Sequence, residues 1–260
     1  MTESLKHLLR VPAADDNKYT RGVVGFVTGS EAFPGAALLG VQAAARSSIG
    51  MIRYVGPTAV QKLVIEARPE VVLGFGKVDA WVLGSGVDPA NQEQVANIVT
   101  AVQTGARCIV DAGALFAFDY VSMAAQSAIL TPHAGELARL LDGFGRHFEL
   151  DYEAVQAAAV ITRQIVILKG NTSLIAHPSG EVVAVGPNAP ELSTAGTGDV
   201  LAGILGALVA ANPEADLVEI AELGVLLHSE AASRAAVQGP VVAMDVVDSL
   251  RSVVADWSAS

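Results

Sequence analysis

Short apolar runs alternate along the chain with longer stretches in which apolar residues recur at helical spacing. Residues 22–28, 51–55, 81–83, 107–110, 128–130 and 165–168 read as strands, because each is a compact run with few polar interruptions. Residues 35–48, 59–67 and 91–104 carry helical patterns between them. Residues 173–176 and 181–185 flank His177-Pro178-Ser179-Gly180 and read as a β-hairpin. Helices over residues 198–211, 215–237 and 244–257 close the chain, with Asn212-Pro213 separating the first two.

A strand that is apolar throughout is one buried on both faces, as in a parallel sheet. Repeated strand-then-helix order builds such a sheet with helices on either side. The pattern contains no internal repeat, low-complexity block or linker, so residues 1–260 are expected to form a single domain. Ligands in open α/β sheets bind beyond the carboxyl ends of the strands. That directs attention to Thr28, Gly84, Asp111, His133 and Lys169.

Composition narrows the function classes. Apolar residues make up 52% of the chain and charged residues 17%, and much of the apolar content is Ala and Val, which suits helices packed closely on a sheet. A formal net charge of −11 argues against a broad nucleic-acid surface, which needs clustered Lys and Arg. It leaves room for an anionic small molecule held by backbone N–H groups and one lysine. Cys108 is the only cysteine, so neither an intrachain disulfide nor a thiolate zinc cluster within one chain is possible. A reducing cytoplasm is the expected setting. Residues 1–16 are polar and mixed in charge, unlike a secretory leader, and no apolar run approaches the length of a membrane span.

The strongest candidate for chemistry is the turn Ala195-Gly196-Thr197-Gly198-Asp199, which opens an apolar helix. Glycines let backbone approach a ligand, and free N–H groups at a helix start attract anions. Asp199 either caps that helix or stands beside a bound phosphate, where it would take a proton from a substrate hydroxyl. The turn is not a Walker loop, because Val71 stands five places before Gly76 where glycine is required. Nor does residues 29–35 match a dinucleotide fingerprint after the first strand.

Five motifs in order make the chain resemble the ADP/ATP-dependent NAD(P)H-hydrate dehydratases of the ribokinase-like superfamily. They are Thr28-Gly29-Ser30 through Phe33-Pro34-Gly35-Ala36-Ala37; Leu83-Gly84-Ser85-Gly86; Val110-Asp111-Ala112-Gly113-Ala114-Leu115; Leu130-Thr131-Pro132-His133-Ala134-Gly135-Glu136; and Leu168-Lys169-Gly170-Asn171-Thr172-Ser173 continuing to residues 195–203. The Gly-Thr-Gly-Asp element marks the superfamily, and Thr-Pro-His-x-Gly-Glu together with Leu-Lys-Gly narrows it to the dehydratases.

The resemblance implies a three-layer α/β/α sandwich with a mainly parallel central sheet. It implies ADP- or ATP-dependent repair of hydrated NADH and NADPH, in which the hydrate hydroxyl is phosphorylated and phosphate then leaves. Asp199 would be the catalytic base and would also touch the substrate. Lys169, Gly170, Asn171, Thr172, Ser173, Gly196, Thr197 and Gly198 would bind the nucleotide, and Ala36, Gly84, Gly86 and His133 the hydrated dinucleotide. Magnesium would accompany the phosphates, with Glu136 reaching it through water. A cytoplasmic homotetramer is implied, without a fused epimerase domain, since residues 1–21 are too short to hold one; a separate epimerase would be its partner.

Each of these residues also has a plainer reading. His133 would be a strand-end histidine satisfied by backbone, Glu136 a first-turn helix acid, Lys169 a snorkelling surface residue. Asp111 either fixes a loop or faces the substrate. His7, His147, His177 and His228 show no ligand spacing and read as structural or exposed, and Asp15-Asp16 reads as a solvated turn. The chain also departs from the family. Thr28 and Ser85 replace family Gly and Pro, and Gly113 replaces the second acid of Asp-Ala-Asp-Ala-Leu, which takes a carboxylate from the expected substrate pocket. The alternative enzyme is a ribokinase-like kinase of a sugar or hydroxymethylpyrimidine, in which the phosphate stays on the product. A non-catalytic nucleotide-binding regulator is the third reading, opposed by the presence of Lys169, Gly198 and Asp199.

Overall fold

The computed structural model describes residues 3–117, 127–149 and 151–259. Nine strands form one sheet: β1 (Val23–Val27), β2 (Met51–Val55), β3 (Val72–Leu73), β4 (Ala80–Leu83), β5 (Arg107–Val110), β6 (Ala128–Leu130), β7 (Ile165–Leu168), β8 (Ser173–Ala176) and β9 (Val182–Val185). Their spatial order is β3-β2-β1-β4-β5-β6-β7-β8-β9. Pairing is parallel from β3 to β7, and β8 and β9 add an antiparallel hairpin at one edge. The mainly parallel sheet and the hairpin are as the sequence led us to expect.

Among the described residues, eight α-helices cover it: α1 (Pro34–Ala45), α2 (Thr58–Ala67), α3 (Gln92–Gln103), α4 (Ala134–Gly143), α5 (Tyr152–Thr162), α6 (Thr197–Ala211), α7 (Leu217–Ala236) and α8 (Ala243–Ala259). Two apolar cores separate them by face. Val24, Phe26, Val82, Ile109, Ile129 and Ile167 point into one core with residues of α1, α2, α6, α7 and α8. Val27, Trp81, Leu83, Val110, Leu130 and Val166 point into the other with α3, α4 and α5. The strands do alternate, as pleating requires, but both faces are apolar, so the alternation is invisible as polarity.

Helix α6 lies deepest. Gly203 makes this possible, since a Cβ there would collide with the backbone of Gly40 on α1. The small residues of α1 and α6 thus bring two helix backbones together and set α6, whose first turn carries Asp199, tightly on the sheet. The stretch between β6 and β7 carries two helices: α4 starts from a cap at His133, and α5 starts from Asp151, whose carboxylate accepts from the N–H groups of Glu153 and Ala154. Neither helix, nor the short edge strand β3, was among the elements expected from the hydrophobic pattern.

Candidate active site

The carboxyl ends of β4, β5, β6 and β7 are neighbours, and each delivers a polar group to the same place. Asp111 follows β5 and is buried. Its Oδ2 accepts from Ser85 Oγ at 2.9 Å, and its Oδ1 accepts from Thr131 Oγ1 at 2.8 Å and Lys169 Nζ at 2.9 Å. Ser85 follows β4, Thr131 follows β6 and Lys169 follows β7. Asp111 therefore ties adjacent strand ends together, which is the loop-fixing reading of this residue.

Lys169 is largely enclosed, not snorkelling at the surface. Burial works against its charge, but Asp111, Glu136 and Asp199 outweigh that and raise it above the ordinary lysine value, so it stays an ammonium. Glu136 Oε2 lies 4.0 Å from it. On the other side, a Cβ at Gly198 would stand 3.4 Å from Lys169 Nζ. The lysine thus bridges the Asp111 carboxylate and the first turn of α6.

That turn is built for close approach. Gly196 caps α6 at φ +89°, a left-handed conformation that favours glycine, and a Cβ there would press on Leu39. Thr197 Oγ1 closes the preceding loop by donating to the carbonyls of Leu192 and Thr194 at 2.8 and 2.9 Å. The cap position itself is held by Gly196, and Asp199 stands in the first turn of the helix. Burial first, and the Asp111 carboxylate second, push Asp199 up to about 7, while Lys169 pulls the other way. A carboxyl near neutrality can hold or release a proton at working pH.

Beside the turn is a cavity of about 300 Å³. Of the residues expected to bind a nucleotide, Lys169, Gly170, Asn171, Ser173, Thr197 and Gly198 line it; Thr172 and Gly196 do not. Its floor includes Leu192, Leu201 and Val225. Asn188 and His228 also line it and were absent from the expected set. Asn188 donates through Nδ2 to the Gly170 carbonyl at 2.9 Å and to Ser173 Oγ at 3.0 Å, holding the loop after β7. His228, on α7, is buried, and burial together with the Lys169 charge pushes its imidazole down to about 3, so it is neutral. No spacing rule marks either residue, because each joins the site only through tertiary packing.

The residues expected to meet the second substrate lie across the turn. Gly86 packs on Ala36, where a Cβ would fall 2.6 Å from the Ala36 Cβ, and Gly84 packs under the turn after Asp111. His133 is satisfied locally: its Nδ1 accepts from the N–H groups of Gly135 and Glu136 at 3.0 and 3.3 Å, and Glu136 Oε2 accepts from the His133 N–H at 2.9 Å. This reciprocal cap is the plainer reading of both residues. It leaves the exposed His133 ring at the strand ends with its Nε2 3.5 Å from Glu136 Oε1. Among the described residues no group of three potential ligands is placed to cage a metal ion.

Gly113 has a steric explanation. A Cβ there would overlap the carbonyl oxygen of Val87, and the Gly113 N–H donates to the Gly84 carbonyl at 3.3 Å. The loop after β4 occupies the space that a side chain at this position would need.

Sheet, helical layers and site together define a ribokinase-like α/β protein. The chain belongs to the NAD(P)H-hydrate dehydratase family, whose pattern it matches over residues 24–252. It is 34% identical to the bifunctional NAD(P)H-hydrate repair enzyme Nnr of Mycobacterium leprae, over 94% of this chain and 53% of that protein. It is 32% identical to the ADP-dependent (S)-NAD(P)H-hydrate dehydratase of Xanthomonas campestris, over 87% of this chain and 84% of that one. The ADP/ATP-dependent NAD(P)H-hydrate dehydratase of Bacillus subtilis, co-crystallised with ATP/Mg2+, superposes with a TM-score of 0.82 at 26% identity, over 99% of this chain and 97% of that chain. Against the bifunctional enzymes that it matches, the chain spans about half their length or less.

Proposed function

We propose that this chain carries out the ADP- or ATP-dependent dehydration of hydrated NADH and NADPH. The observation that carries the proposal is the division of labour between two carboxylates. Asp111 is engaged by Ser85, Thr131 and Lys169. The Asp199 carboxylate takes no hydrogen bond from any described residue, is pushed up to about 7, and stands in the first turn of the helix beside the cavity.

In this reading the nucleotide lies in the cavity with its phosphates over the first turn of α6. The N–H groups of that turn and the Lys169 ammonium stabilise charge on the transferring phosphoryl group. Asp199 accepts the proton of the hydrate hydroxyl as its oxygen bonds to phosphorus and the bond to the departing nucleotide breaks. Hydroxide leaves carbon poorly and phosphate leaves it well, so the phosphorylated carbon loses phosphate, a proton leaves the neighbouring atom, and the dihydronicotinamide is restored. Positioning and charge account for most of such a transfer. Ala36, Gly84, Gly86 and the exposed ring of His133 form the side that meets the hydrated dinucleotide.

The carboxylates of Glu136 and Asp199, both near Lys169, suit a magnesium ion that travels with phosphates and keeps its waters. In this reading Glu136 would meet it through water, and the ion would supply charge neutralisation on the phosphoryl oxygens. The resemblance to the family further supports one domain acting as a cytoplasmic homotetramer. The bifunctional relatives support a second repair activity as partner, which the family resemblance implies is an epimerase.

The fate of the phosphate tests the proposal against a kinase of the same fold. With hydrated NADH and ATP, phosphate should appear as free inorganic phosphate in step with ADP. Phosphate retained on a sugar or hydroxymethylpyrimidine, with none released from the hydrate, would contradict it.

A further inference from the structure

One side chain in the nucleotide cavity has a group that nothing in the free protein satisfies. His228 stands in its wall with Leu201 and Val225, and its Nε2 is buried without a hydrogen-bond partner. Two of the polar side chains nearby are committed. Asn188 Nδ2 is bonded to Gly170 and Ser173, and Thr197 Oγ1 to Leu192 and Thr194. Thr197, the first residue of α6, also bonds the His228 ring through its backbone. A backbone carbonyl accepts, so the ring N–H belongs on Nδ1, and Nε2 presents a bare lone pair.

A buried acceptor with no donor is unfavourable, and a ligand that brings a donor relieves it. We propose that His228 reads the nucleoside: its Nε2 accepts a hydrogen bond from a nucleoside donor, the adenine 6-amino group or a ribose hydroxyl. The inference rests on the reading of this cavity as the nucleotide site and assigns it a specificity-determining residue. Nε2 is closed to water, so a nucleoside meets it through the side-chain adjustment that accompanies seating between Leu201 and Val225. Neutrality suits the role, because an imidazolium would offer no acceptor and would face the Lys169 ammonium. The same ring touches the nucleoside on one edge and the phosphate-binding turn on the other, through Thr197.

Titration calorimetry on the full chain with magnesium tests this using ADP, 2′-deoxy-ADP, 3′-deoxy-ADP and the diphosphate of purine riboside, which lacks the 6-amino group. His228→Asn keeps a donor for Thr197 and removes the Nε2 acceptor; His228→Phe removes both. Wild type should bind one analogue about fivefold more weakly than ADP, the scale of a single hydrogen bond. In His228→Asn, ADP should fall to the affinity of that analogue, and the difference between the two should vanish. The analogue that shows the penalty identifies the donor as amine or hydroxyl. Equal binding of all four ligands to wild type, or a penalty that persists in His228→Asn, overturns the proposal. If ADP does not bind wild type, the nucleotide-site reading itself fails, a different result from tight ADP binding that ignores His228. Should His228→Phe not fold, His228→Asn alone decides.

Discussion

Lys169 Nζ lies 2.9 Å from Asp111 Oδ1 while standing against Gly198 at the start of α6. One ammonium thus joins the sheet's strand ends to the turn that carries Asp199. The charge state of Asp199 follows from this arrangement, since Asp111 pushes its pKa up and Lys169 pulls it down.

The pH dependence of turnover follows. If Asp199 acts ionised, kcat/KM should rise with pH through about 7 and level above it. The charged groups facing Asp199 are Asp111 and Lys169, with Glu136 beyond the lysine. Asp111→Asn removes a negative charge and releases Lys169 from its partner, and both effects favour the ionised form of Asp199. The midpoint should move to lower pH, as read from the kcat/KM profile. An unchanged or higher midpoint would break the electrostatic link.

Stability should move opposite to activity at Asp199. Its folded pKa of about 7 lies above the ordinary aspartate value of 3.8. Between those two values the unfolded chain gives up the proton and the folded one retains it, so stability falls as pH rises through that window. Asp199→Asn removes the penalty. Urea denaturation at pH 8 should show the variant more stable by on the order of 2 kcal/mol, discounted for residual solvent contact. At pH 3 the difference should disappear. The same variant should lose turnover and keep nucleotide affinity nearly unchanged; full activity would refute the base assignment.

Restoring the family acid should fail. Gly113→Asp places a Cβ against the Val87 carbonyl, a backbone atom that cannot swing aside. The expected outcome is destabilisation of about 2 kcal/mol, in the range of overpacking, with a weakened KM for the hydrated dinucleotide as the loop after β4 shifts. A Tm equal to wild type would show that the loop moves freely.

The strand-helix alternation was legible because both faces of a parallel sheet demand apolar strands, and the hairpin because its turn is Pro-Ser-Gly. Helix α4 was hidden because its cap is His133, outside the usual capping residues, and its amphipathic pattern is only ten residues long. Asp151 followed by Glu153 did signal α5, but the Ala-rich helix behind it has little contrast between faces. Within the site, Asp199 and Lys169 stood out because glycines flank them. His228 did not, because α7 brings it to the cavity from 58 positions beyond Gly170 and nothing in the residues around it marks a buried lone pair. Asp111 could be read two ways until Ser85 and Thr131 were seen to converge on it.

The central claim is that Asp199 and the adjoining cavity turn a hydrated cofactor back into a usable one. Dihydronicotinamide absorbance, followed after mixing the protein with hydrated NADH, magnesium and either ADP or ATP, tests it most directly. Absorbance should recover only with the nucleotide, match released phosphate mole for mole, and fail to recover in Asp199→Asn. No recovery with either nucleotide, under conditions where the protein binds ADP, would contradict it.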